Sequence, residues 1–135
     1  MHTFAAHTGE VEIHLEAPSL AELFREAGLA LAEVMAGGPP PAPAPAGDAQ
    51  RVELFAPDRD ALLFDWLNEL VFRAERDRRL YPGIAVERAG DRELVASIRP
   101  AEVPELRTLV KAATFYGLRI TETPRGFAAN VVLDV

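Results

Sequence analysis

Cysteine is absent from this 135-residue chain. Its absence removes disulfides, thiolate zinc sites and cysteine nucleophiles, and is compatible with a reducing cytoplasm. Long apolar runs are missing too. No stretch approaches the ~20 residues that a membrane span requires, and the opening Met1-His-Thr-Phe-Ala-Ala-His7 has neither the basic start nor the apolar centre of a secretory signal. Basic charge is scarce: 14 Lys and Arg against 21 Asp and Glu leave a formal net charge of -7. That balance disfavours a broad phosphate-binding face and direct nucleic-acid binding. Arg73, Arg76, Arg78 and Arg79 form a local basic cluster, but Glu75 and Asp77 interrupt it, as on a solvated helix end. There is also no Gly-rich phosphate loop, no Gly-x-Ser-x-Gly elbow, no His-Glu-x-x-His and no EF-hand spacing. Carboxylates are plentiful without a distinctive acid/base partner, so the residues alone point to no particular reaction.

What is present reads as a globular chain, 49% hydrophobic and 26% charged, whose length suits one domain over residues 1–135. From Glu10 to Glu16 the pattern alternates, with Val11, Ile13 and Leu15 on one face, which predicts a half-buried strand. Ser19 and Glu22 then form a capping box that starts a helix running to about Ala36. The second half of that helix is apolar nearly all round, which predicts contact on more than one side. Residues 37–50 are rich in proline and alanine and read as a loop. A short strand over 51–56 and a second helix, begun by Pro57-Asp58 and running to about Glu75, follow. Leu62, Leu63, Trp66, Leu67, Leu70, Val71 and Ala74 mark its apolar face.

Beyond Pro82-Gly83 the pattern turns to strands. Residues 84–88 and 93–99 form a hairpin, residues 108–121 carry a strand bent around Gly117, and 127–135 pairs with it across Pro124-Arg125-Gly126. The order β-α-β-α-β-β-β-β implies an α+β fold, its helices packed against mostly antiparallel sheets.

Four places could carry chemistry. His7-Thr8-Gly9-Glu10 offers an imidazole, a hydroxyl and a carboxylate, able to ligate a metal or phosphate, or simply to cap its own loop. His14 lies seven residues from His7, too far along the chain for the close spacing of a zinc pair; it and His2 read as surface residues. Lys111 sits among apolar residues, where an ion pair or a functional role would equally explain it. Asp134 and the Val135 α-carboxylate place two hard oxygen donors one residue apart. Trp66 and Tyr116 read as core, while Asp65 and Asn68 interrupt an apolar helix face where they can bond loop backbone.

His7-Thr8-Gly9-Glu10, Asp65-Trp-Leu-Asn-Glu-Leu70, Val110-Lys-Ala-Ala-Thr-Phe-Tyr-Gly-Leu118 and the final Val132-Leu-Asp-Val135, in this order and spacing, resemble the archease family over essentially the whole chain. The resemblance implies helices sandwiched between sheets, a β/α/β arrangement. It also implies a cytoplasmic accessory protein, not itself an enzyme, that promotes guanylylation and multiple turnover of the RNA ligase RtcB in tRNA splicing or RNA repair. Carried over residue by residue, the family's metal site falls on Glu10, Asp134 and Val135, with Ca²⁺ the expected ion and Mg²⁺ or Mn²⁺ as alternatives, and its functional lysine falls on Lys111. Two positions depart from the family pattern. Glu10 replaces an aspartate, lengthening the carboxylate stem by one methylene, and Tyr116 replaces a histidine. A small metal- or ligand-binding enzyme, or a chaperone-like interaction module using the same pocket, are the rival readings.

Overall fold

A computed structural model describes the backbone of residues 1–135 and every side chain except that of Ala46. The alternation noted above becomes strand β2 (Glu10–Ala17), with Ile13, Leu15 and Ala17 buried and Glu10 and Glu16 exposed. It is preceded by strand β1 (His2–His7), which the sequence pattern does not reveal. The observed order therefore carries one more strand at its start than expected. β1 lacks the alternating apolar signal because it is an edge strand with mostly exposed residues. A two-residue turn joins β1 to β2, with Gly9 at φ 73°.

Helix α1 (Leu20–Ala36) begins where expected, Ser19 Oγ accepting the Glu22 N–H at 3.2 Å, and ends at Gly37 in the left-handed conformation. Helix α2 (Arg59–Asp77) is capped by Asp58, whose Oδ1 accepts the Ala61 N–H at 2.8 Å. Between the helices, residues 37–50 run as a loop with one short 3-10 turn, leading into β3 (Gln50–Phe55). The loop is tied down by Ala44, whose N–H bonds the Pro100 carbonyl (2.7 Å) and whose carbonyl accepts from Arg99 (3.0 Å).

Strands β4 (Leu80–Ala89) and β5 (Glu93–Ala101) form the expected hairpin, and β6 (Ala112–Thr123) pairs with β7 (Gly126–Asp134). β4 starts earlier than the Pro82-Gly83 pair suggests. Proline is tolerated there because β4 lies at a sheet edge and its pairing is irregular between Leu80 and Gly83. All pairings are antiparallel and make two sheets, ordered β1-β2-β7-β6 and β3-β5-β4.

The helices lie between these sheets, α1 touching both β2 and β4, and α2 both β6 and β3. This is the α+β class that the element pattern implied, in the sandwich arrangement that the resemblance implied. The all-round apolar half of α1 is explained by it, since Gly28, Ala30, Leu31, Ala32 and Met35 are all buried. At Gly28 a Cβ would stand 2.3 Å from Ile84 Cδ1, so α1 approaches β4 closely. Trp66 joins the helices, fully buried and donating its indole N–H to the Phe24 carbonyl at 2.8 Å. Tyr116 is the exception among the expected core aromatics: it is 90% exposed.

Gly126 opens β7 at φ 138°, where a Cβ would lie 2.3 Å from the Ala17 carbonyl oxygen. Neither the dihedral nor the space admits a side chain, and the obstructing atoms are backbone. Gly126→Ala is expected to cost about 2–4 kcal/mol, combining backbone strain with overpacking. Urea denaturation measures this, and an unchanged midpoint would contradict the close approach.

His2 is not a free surface residue. Its ring bonds Glu26 (Nδ1, 2.8 Å) and Glu33 (Nε2, 2.6 Å), fastening the edge strand β1 to α1. Burial disfavours the imidazolium, but the hydrogen bonds and charges of the two glutamates outweigh it and raise the His2 pKa above 6.5. Burial likewise opposes ionisation of Glu26, yet its contacts with His2 and the Met1 amino group leave its pKa lowered. The contribution of protonated His2 is then complete below its unfolded pKa of about 6.5 and is lost as pH rises through the raised folded value. Glu26's contribution is lost as pH falls through its lowered value. The stability difference between wild type and His2→Ala should therefore peak in mildly acidic solution and shrink above neutrality, which melting curves across pH will measure.

Candidate functional site

The register between β2 and β7 sets the site. Val11, Ile13 and Leu15 face Leu133, Val131 and Ala129, and these pairs form the inner face of the sheet. The same register places Glu10 opposite Asp134 on the outer face, both side chains exposed. Directly opposed residues hold their Cβ atoms about 5 Å apart, and like charges there repel. A cation between them relieves that repulsion.

Both neighbours of this pair are held by backbone. The Val135 N–H bonds the Gly9 carbonyl at 3.0 Å, continuing the ladder past the end of β7, while the Val135 side chain packs against the core. On the other side the Lys111 N–H bonds the Asp134 carbonyl at 2.8 Å. Lys111 is exposed between buried Val110 and Ala113. Its ammonium is in water and needs no buried partner. Glu10, Asp134, Val135 and Lys111 thus gather at one end of the four-stranded sheet, with His7 across from Glu10 on β1.

Helix α2 positions the Lys111 segment. Asn68 Oδ1 accepts the Ala113 N–H (3.0 Å) while its Nδ2 donates to the Phe64 carbonyl (3.2 Å), and Asp60 Oδ1 accepts the Ile120 N–H (2.7 Å). These two clips bracket a bulge where β6 leaves β7 between Thr114 and Arg119, with Gly117 at φ 71°. Phe115 packs edge-on against Phe64, ring centroids 5.1 Å apart, while Tyr116 stands out into solvent. A bulge re-aims side chains in this way. The sequence marks the bend at Gly117, but not that the residue before it projects outward.

The donors fit a hard divalent cation: carboxylate oxygens without sulfur. Among the described residues, no three His, Cys, Asp or Glu side chains converge closely enough to hold a metal ion. Glu10 and Asp134 therefore need a further donor, such as a main-chain carboxylate, water or a partner group. A cleft of about 560 Å³ lies at the far end of β2 around Glu16, Ala17, Thr123, Arg125 and Phe127, and is separate from these residues.

Three arginines of the cluster, Arg73, Arg76 and Arg79, are engaged in pairing. Arg73 pairs with Glu69 (3.2 Å), Arg76 with Asp77 (2.8 Å) and Arg79 with Glu102 (3.3 Å). Hydrogen bonds from Arg76 and then Tyr81 hold the Asp77 carboxyl well below the usual carboxylate range. Among the described residues, no helix is long and apolar enough to cross a membrane.

A model of the archease protein family matches residues 2–135. The chain belongs to the archease family. It is 28% identical to the protein archease of Methanosarcina acetivorans, covering 99% of this chain and 95% of that one. Its identity to the protein archease of Methanothermobacter thermautotrophicus is 33%, covering 86% and 85%. In structure this archease resembles a protein of Methanobacterium thermoautotrophicum solved in solution, with TM-score 0.73, 28% identity, and coverage of 99% and 98%. It also shares the fold of a Thermotoga maritima crystal structure described as an archease and possible chaperone, with TM-score 0.69, 18% identity, and coverage of 100% and 98%.

Removing the Asn68 clip tests how Lys111 is positioned. Asn68→Ala leaves the part-buried Ala113 N–H unsatisfied and is expected to cost about 1–3 kcal/mol. Amide exchange at Ala113 should accelerate more than in α1. Unchanged exchange at Ala113 would show that the clip does not hold β6.

Proposed function

We propose that this archease promotes guanylylation and turnover of the RNA ligase RtcB, presenting Glu10, Asp134 and the Val135 carboxylate to a divalent cation beside Lys111. The observation that supports it is the β2–β7 register, which faces Glu10 with Asp134 while Asp134's own carbonyl holds the Lys111 backbone. Ca²⁺ suits the all-oxygen donors, and Mg²⁺ or Mn²⁺ are the alternatives. When bound, the ion supplies positive charge that can neutralise a phosphate group. Glu10, with its longer stem, reaches outward from β2, and Asp134 faces it from β7. Lys111 offers a mobile point charge able to orient a nucleotide phosphate.

In this reading the protein works in the cytoplasm, binds a protein partner, and joins no RNA ends itself. The -7 formal charge favours a partner face of opposite sign, so association should weaken as salt rises.

The test compares guanylylation by GTP and multiple turnover of purified ligase in the presence of wild type, Asp134→Ala or Lys111→Ala. Each variant should lose stimulation by about tenfold or more, the scale on which disturbance of a metal site acts. Undiminished stimulation by both variants would remove the assignment. Turnover of a small substrate by this protein without any ligase would favour the enzyme reading instead.

A further inference from the structure

Among the described residues, the two sheets leave four edge strands, and three of these carry a feature that blocks further pairing. At β6 the Asn68 and Asp60 side chains already occupy the Ala113 and Ile120 N–H groups. β4 holds Pro82 and shifts register twice along β5. β3 presents the exposed charges of Arg51 and Glu53. An open strand edge is a template for another strand, and charge, proline, bulges and side-chain cover are what block it. β1 has none of them. Its six residues pair with β2 in unbroken register and include no Pro, Lys, Arg, Asp or Glu.

We propose that the open edge of β1 pairs antiparallel with β1 of a second copy of this chain, about a two-fold axis at Phe4, joining two four-stranded sheets into one. The pairing is independent of the ligase reading. β1 is the edge opposite β6, so the second copy adds on the side of the sheet away from Lys111.

The hydrogen-bond pattern sets which groups are free. Met1 and Glu16 exchange both backbone bonds, at 2.8 and 3.0 Å. Alternation along an antiparallel pair then turns the backbone of Met1, Thr3, Ala5 and His7 toward β2, and the N–H and C=O groups of His2, Phe4 and Ala6 outward. Among the described residues, no other segment of the chain bonds these outward groups. Their spacing is self-complementary. Antiparallel pairing about Phe4 sets Phe4 against Phe4, His2 against Ala6 and Thr3 against Ala5, so each flanking pair includes an alanine and none opposes like charges. Phe4 is 40% exposed in the single chain, and an aromatic cross-strand pair at the axis is favourable.

Charge argues for this occupant. Copies with a formal charge of -7 repel each other, so they meet closely only where carboxylates are absent or matched. Among the described strands, β1 alone has no Asp or Glu. Beneath it Glu26 and Glu33 are matched by His2, and Glu26 also by the Met1 amino group at 3.3 Å.

Analytical ultracentrifugation of the full chain from low micromolar to millimolar concentration, with amide exchange alongside, tests the pairing. The 14.7 kDa chain should move toward twice its mass as concentration rises. Exchange of the Phe4 amide should slow, about tenfold when about 90% of chains are paired, while Thr3 and Ala5, already bonded to β2, change less. Phe4→Lys sets two ammonium groups against each other at the axis and should keep the chain monomeric. Ala6→Pro, which removes an outward N–H but no bond to β2, should do the same. Phe72→Lys, at an exposed site on α2, should leave the dimer intact. Circular dichroism reports whether each variant is folded. Wild type that stays monomeric at millimolar concentration would overturn the proposal, as would a dimer that survives in folded Phe4→Lys or leaves Phe4 exchange unchanged. Phe4 exchange that slows only when purified ligase is added would overturn it too, by assigning the edge to a strand of that partner.

Discussion

The antiparallel pairing of β2 with β7 is the constraint on which the rest depends. It joins a strand near the start of the chain to the last one, and its inner residues Ile13, Leu15, Val131 and Leu133 are almost wholly buried against the helices. A slip of one residue would turn that whole set outward and carry charge into the core. The hydrophobic face therefore sets the register, and the register in turn sets which polar residues meet outside. Glu10 faces Asp134 because Ile13 faces Val131. The carboxylate pair is in this sense a by-product of core packing, even though its mutual repulsion disfavours the fold locally.

The helices convert this sheet into a platform. Held on both sides, α1 and α2 have little freedom to move, and Trp66 ties one to the other by the Phe24 carbonyl. From this rigid layer, Asn68 and Asp60 reach out to two backbone amides of β6, on either side of its bulge. Polar residues on an apolar helix face are costly unless they bond. Here they do, and what they position is the approach to Lys111 and the outward projection of Tyr116.

Much of this was legible in the residues. Ser19 and Asp58 announced the helix starts, and the alternation of Val11, Ile13 and Leu15 an inward strand face. Asn68 could be recognised as a backbone ligand because a polar side chain there needed one. β1 could not be read, since an exposed edge strand carries no period of burial. Tyr116 was misplaced for a related reason: an aromatic among strand-forming residues is ordinarily buried, and only the interrupted pairing with β7 shows it leaving the sheet. The ties of His2 to Glu26 and Glu33 were equally invisible, because they join side chains far apart along the chain.

Sequence alone determined the α+β class, the faces of the elements, the family, and which residues at the two ends deserved scrutiny, because helix and strand periods, caps and turns are local properties of a chain. Tertiary structure alone decided that Glu10 opposes Asp134, that Lys111 hangs from the Asp134 carbonyl, and that His2 ties β1 to α1. Those juxtapositions follow from strand register and hairpin closure. Both are settled by burying apolar surface across the whole molecule, which no local stretch of sequence records.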